Sequence, residues 1–142
     1  MPIPGTIIAA HNLPILKCKC GRFGCYETYG SGPGLERLAK QLLGCDLTSH
    51  EIISDRAHQE ISRIWKIWCD VNAALILTIV TTIDPRTIVL GGGMSKISGL
   101  IKELESALMR VAWEELPLPS IRLGSRGETA AALGAAYAAY HV

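Results

Sequence analysis

Three cysteines within eight residues, in Cys18-Lys19-Cys20-Gly21-Arg22-Phe23-Gly24-Cys25, constrain this chain more than any other feature. Cys-x-Cys followed by Cys-x4-Cys lets one tight loop present three thiolates to a tetrahedral ion such as Zn2+. Gly21 and Gly24 permit the positive backbone angles that such a wrap requires. A zinc site asks for a fourth His or Cys, and His11 is the nearest candidate. Three thiolates, a neutral imidazole and Zn2+ leave one net negative charge, which Lys17, Lys19 and Arg22 are placed to offset. The alternative is three buried or disulfide-paired cysteines. It is disfavoured because Cys-x-Cys neighbours bond poorly to each other. The N-terminus, Met1-Pro2-Ile3-Pro4-Gly5, also lacks the charged start and apolar run of a signal peptide, so a cytoplasmic, reducing setting is expected.

The chain has 142 residues, 49% hydrophobic and 19% charged, which suits one compact domain and excludes disorder as the default. A formal net charge of +1 supplies no electrostatic drive toward nucleic acid. The uncharged run from Val71 to Ile83 is 13 residues, too short to span a bilayer and suited to a buried helix. Residues 1–34 hold four of the seven prolines and six glycines, and read as an irregular metal-binding segment. Residues 35–142 read as a helix-rich α/β remainder of the same domain. Leu35, Leu38, Leu42 and Leu43 give one apolar helical face, and Thr48-Ser49-His50-Glu51 has capping-box form. A long helix is expected from Arg56 to Thr82, stopped by Asp84-Pro85.

Thr87 to Leu90 reads as a strand buried on both faces, closed by Gly91-Gly92-Gly93 and followed by a helix from Ile97 to Trp113. Ser120 to Leu123 forms a second strand and Glu128 to Tyr140 an Ala-rich helix, in which Gly134 permits close packing. Trp65 and Trp68 read as core, and Cys45 and Cys69 as small hydrophobes. Two strands do not make a self-sufficient sheet.

Cys18-x-Cys20-Gly21-x-x-Gly24-Cys25-x-Glu27 resembles the zinc signature of the ROK (repressor, open reading frame, kinase) family of sugar kinases. The likeness continues through Thr28-Tyr29-x-Ser31-Gly32, Asp84-Pro85-x-x-Ile88-Val89-Leu90-Gly91-Gly92-Gly93 and Gly134-Ala135-Ala136, and covers residues 9 to 140. It looks nearest to N-acetylglucosamine kinases and related fructokinases. The resemblance implies the C-terminal half of an actin-like (ribonuclease H-like) kinase fold, with zinc bound by Cys18, Cys20 and Cys25. By the same likeness, Glu27 accepts hydrogen bonds from hydroxyls of a hexose or N-acetylhexosamine, and His11 both ligates zinc and approaches the sugar. Here His11 stands seven residues before Cys18, a shorter gap than the family's, and Ile8 replaces the usual upstream glutamate. The resemblance puts Gly91, Gly92 and Gly93 beside the adenosine end of ATP.

The family's kinases are about twice as long and use an Asp-x-Gly-x-Thr phosphate loop, a second glycine-rich phosphate loop and a catalytic aspartate. None of these occurs here, where the only aspartates are Asp46, Asp55, Asp70 and Asp84. Phosphoryl transfer rests on positioning the γ-phosphate, so the chain is expected to be inactive alone and to need an N-terminal kinase half. Its unpaired sheet edge is expected to drive self-association. Other readings are a sugar-sensing repressor of the family, which would need a helix-turn-helix, and a zinc-stabilised interaction module.

Overall fold

The computed structural model describes residues 1–125 and 129–140. Two short helices lie within the Pro- and Gly-rich start: α1 (Gly5–His11), which follows Pro4, and α2 (Tyr26–Gly30). Helix α1 stops at Asn12, whose backbone is left-handed at φ 50°. Helix α3 (Gly32–Leu43) begins at Ser31, whose Oγ accepts from the Gly34 amide at 3.0 Å and donates to the Glu27 carbonyl at 2.8 Å. The expected apolar face is present, with Leu35 and Leu38 buried and Leu42 and Leu43 half-buried against the core. Helix α4 (Ser49–Ser54) opens on the expected capping box between Thr48 and Glu51.

Helix α5 (Gln59–Ile83) starts three residues later than the sequence suggests and ends where Asp84 turns left-handed before Pro85. It buries Ile64, Ile67, Trp68, Val71, Ala73 and Ile76, and α1, α2, α3, α4 and α6 (Leu100–Val111) all pack on it. By length and hydropathy α5 would pass for a membrane span, yet half of that stretch is buried inside the protein. Trp65 and Trp68 stack with centroids 4.9 Å apart. One hydrophobic cluster runs from Ile3, Ile7 and Leu13 through α2, α3 and α5 to Ile121, so residues 1–34 share the core of the rest.

Strands β1 (Thr87–Leu90) and β2 (Ser120–Leu123) pair in parallel, Thr87 opposite Ser120 and Leu90 opposite Leu123. A 3-10 turn (Gly93–Lys96) and then α6 connect them. Strand β1 is not buried on both faces as expected. Ile88 and Leu90 meet the core, while Thr87 and Val89 face outward, because nothing among the described residues covers that side. Residues 1–16 supply α1 and an isolated bridge rather than further strands, leaving a two-stranded sheet among the described residues.

Helix α7 (Ala130–Tyr140) matches the expected Ala-rich helix; its anticipated start at Glu128 lies outside the described residues. Gly134 has no atom within 4 Å of where a Cβ would stand, so the close packing expected of it is not seen. Cys69 is buried as expected of a small hydrophobe, but Cys45 is exposed.

Helices α2 and α3 meet at Gly34, where an added Cβ would lie 2.5 Å from the Tyr29 carbonyl carbon. Backbone cannot yield as a side-chain tip does. Gly34→Ala is therefore expected to cost about 1–3 kcal/mol, read as a lower urea midpoint at unchanged slope.

Candidate functional site

The cysteine loop is a miniature hairpin. Lys17 and Phe23 bridge antiparallel, the Cys18 amide donates to the Arg22 carbonyl at 2.7 Å, and the Gly21 amide donates to the Cys18 carbonyl at 3.0 Å. Gly21 and Gly24 take φ of 86° and 69°, the left-handed turns that glycine tolerates without strain. The chain's first residues pair beside the loop, with Ile3 donating to the Gly24 carbonyl and Tyr26 to that of Met1. Tyr29, fully buried, ties the loop to α2: its hydroxyl donates to the Pro14 carbonyl at 2.7 Å and accepts from the Leu16 amide at 2.8 Å.

This folding gathers the three thiols. The sulfurs of Cys18, Cys20 and Cys25 all lie within 4.8 Å of one another, Cys20 and Cys25 at 3.6 Å, with Cys20 exposed and the other two buried. The Cys18 thiol is lowered to about 7, first by the Cys20 backbone amide and then by the Thr28 hydroxyl. Cys25 is raised to about 11, first by burial and then by the neighbouring thiols. The Thr28 Oγ1 is buried beside the Cys18 thiol, which it helps to lower. Three convergent sulfurs fit a thiophilic cation such as Zn2+, which would hold all three as thiolates.

The expected fourth ligand, His11, is not brought to this cluster. As the last residue of α1, it points its Nε2 at Asp70 Oδ2 of α5, 3.1 Å away. It is also absent from the pocket around Glu27. Asp70 is buried, and its other oxygen accepts from Arg110 Nη2 of α6 at 2.5 Å. A buried carboxylate held by a cation and an imidazole was not anticipated from the sequence. The signal was one acidic residue between Cys69 and Val71 at the edge of a long apolar run.

Glu27 sits in the first turn of α2 and shares a pocket of about 200 Å3 with Lys17, Cys18, Lys19, Thr28 and Arg37. Arg37 of α3 closes one side by donating to the Thr28 carbonyl at 3.0 Å. The thiol loop and the candidate sugar-binding carboxylate are thus neighbours. At the other end of α2, Gly91, Gly92 and Gly93 line a second cavity, about 280 Å3, together with Ser31, Gly32 and Trp68. Trp68 Nε1 donates to the Ser31 carbonyl at 3.1 Å, and Asn72 Nδ2 to that of Gly30 at 3.2 Å. Two glycine motifs some sixty residues apart in sequence therefore face one space.

The helix-rich body around a parallel strand pair superposes on solved ROK sugar kinases, which have an actin-like fold. The ROK family model matches residues 5–141, and the chain belongs to the ROK family. It is 29% identical to an N-acetylgalactosamine kinase of Shewanella sp. (strain ANA-3), the match covering 94% of this chain and 44% of the relative. It is 33% identical to an N-acetyl-D-glucosamine kinase of Histophilus somni (strain 129Pt), over 87% of this chain and 41% of the relative. Among solved structures, a ROK family glucokinase of Streptomyces griseus in complex with glucose and AMPPNP superposes with a TM-score of 0.72 at 25% identity, covering 89% of this chain and 48% of that one. The chain spans less than half the length of these relatives.

The thiol shifts set a pH dependence for the metal-free, reduced chain. Cys18, lowered to about 7 in the fold from an ordinary value of 9.0, adds stability that is complete above pH 9 and lost as pH falls through 7. Cys25, raised to about 11, contributes stability present below pH 9 and lost as pH rises through 11. The urea midpoint is expected to rise from pH 7 toward 9 and fall beyond it, and Cys18→Ser should flatten the rising limb.

Proposed function

We propose that this chain is the sugar- and metal-binding portion of a ROK kinase that phosphorylates a hexose or N-acetylhexosamine with ATP. In this reading Cys18, Cys20 and Cys25 hold Zn2+, and the fourth position is filled from outside the thiol loop rather than by His11. Bound zinc supplies structural rigidity here and takes no part in proton or phosphoryl transfer. Glu27, fixed by the first turn of α2 two residues beyond a metal-binding cysteine, accepts hydrogen bonds from sugar hydroxyls. Lys17, Lys19 and Arg37 line the same pocket as that carboxylate. The Gly91–Gly93 turn faces the nucleotide across the cavity it shares with Ser31 and Gly32.

The observation that carries this reading is the common pocket of Cys18 and Glu27 in a chain of this family. Phosphoryl transfer also needs a base for the sugar hydroxyl and amides around the γ-phosphate. Among the described residues no such set stands, and the chain is proposed to act with an N-terminal kinase half. The family's sugar-sensing regulators are not favoured, since the named relatives are kinases.

Purified under reducing conditions, the protein is expected to carry one zinc per chain by elemental analysis. Cys25→Ser should lose the metal and His11→Ala should keep it. Substoichiometric zinc in the parent protein would overturn the assignment. Alone, the chain is expected to show no ATP-dependent phosphorylation of N-acetylglucosamine, N-acetylmannosamine, glucose or fructose above background. Added to an N-terminal half from a ROK kinase, it should restore turnover that Glu27→Ala reduces by about a hundredfold or more, the scale expected when a positioning contact to the reacting sugar is lost.

A further inference from the structure

Away from the thiol loop, α5 and α6 enclose a groove of about 300 Å3 whose floor is Trp65 and Cys69. Lys102, Ser106 and Arg110 succeed one another at four-residue spacing along α6, so they line a single face, and Lys66 of α5 stands on the other side. The one acidic side chain lining the groove is already engaged. Glu103 accepts from Trp65 Nε1 through one oxygen and from Arg56 Nε through the other. The Lys66 and Lys102 ammoniums have no ionic partner among the described residues.

Arg110 makes this more than two surface lysines. Its Nη2 is held at 2.5 Å by Asp70, whose side chain is only 8% exposed, while the Arg110 side chain, itself 43% exposed, lines the groove. A buried carboxylate thus orients the guanidinium and leaves other N–H donors of its fork free. The free donors on the groove are an oriented arginine, two ammoniums and a hydroxyl, on an aromatic floor. That set matches the oxygens of a small dianion.

We propose that the α5/α6 groove binds a small phosphorylated anion, inorganic phosphate or the phosphate of a soluble monoester, through Lys66, Lys102, Ser106 and Arg110. The site is distinct from the Cys18–Glu27 pocket, shares no residue with it, and does not rest on the kinase reading. An anion here draws on the same guanidinium that Asp70 holds. Occupancy therefore bears on the contact between α5 and α6, and through Asp70 on His11 and α1.

Isothermal titration of the full chain with inorganic phosphate and, separately, with glycerol 3-phosphate tests the proposal. Saturable one-to-one binding of either is expected, weakening as ionic strength rises. Tighter binding of the monoester would assign the site to an organic phosphate, and equal or tighter binding of inorganic phosphate to the free ion. Lys66→Gln with Lys102→Gln, both exposed and outside the core, should weaken binding by about tenfold or more while leaving the Asp70–Arg110 pair in place. Lys40→Gln, on α3, should change nothing. Absence of saturable binding by both probes, undiminished binding in the double variant, or equal loss in Lys40→Gln would each overturn the proposal.

Discussion

One phenol hydroxyl joins the three-thiol loop to the helical body. Tyr29 presents its oxygen to two backbone groups on the segment leading into the loop, donating to Pro14 and accepting from Leu16. Both groups lie in a segment with no regular secondary structure, where an unpaired amide or carbonyl costs as much as a lost hydrogen bond. The ring behind the hydroxyl is fully buried against the core. Because Tyr29 is itself on α2, the same residue sets where Glu27 stands relative to the thiols. The bare Cα of Gly34 then lets α3 lie directly against Tyr29, so loop, α2 and α3 behave as one piece.

The two ends of α2 give this piece its use. Its first turn offers Glu27 to a pocket walled by cations and by the Cys18 loop, and its last residues border the cavity of the triple-glycine turn. A five-residue helix is too short to be stable by itself. It is held here by tertiary bonds at both ends, from the Tyr26 amide to the Met1 carbonyl and from Asn72 and Trp68 to the Gly30 and Ser31 carbonyls, while Ser31 bonds back to the Glu27 carbonyl. Gly30 keeps that region narrow enough for α5 to approach, since a Cβ there would lie 3.1 Å from Asn72 Oδ1.

Local chemistry made much of this legible from sequence. The Thr48–Glu51 capping box, the leucine face of α3, the stop at Asp84-Pro85 and the gathering of Cys18, Cys20 and Cys25 all follow from spacing and backbone preference, and the structure contains each of them. What sequence did not give was decided by tertiary contact. The Pro-rich start contains helix α1 because Ile3 and Ile7 find the common core. His11 turns to Asp70 because a buried carboxylate on α5 competes for it, and nothing local in His11-Asn12-Leu13-Pro14 encodes that partner. The outward face of β1 is open for a related reason. A β-branched run says that a strand is favourable, while how many faces are covered depends on neighbours elsewhere in the chain.

Asp70 also has a consequence for how α5 is handled before the fold exists. The helix is 25 residues long and apolar enough to resemble a membrane-spanning segment, and Asp70 stands one residue from its midpoint, where a charge is most costly in hydrocarbon. On insertion scales an aspartate at that depth opposes entry by about 2.5–3.5 kcal/mol. In the folded protein the same carboxylate is satisfied by Arg110 and His11, groups contributed by two other helices. A roll of α5 by one residue would turn it about 100° and carry the carboxylate off both partners. One acidic side chain thus biases the nascent helix away from lipid and fixes its rotational setting in the finished core.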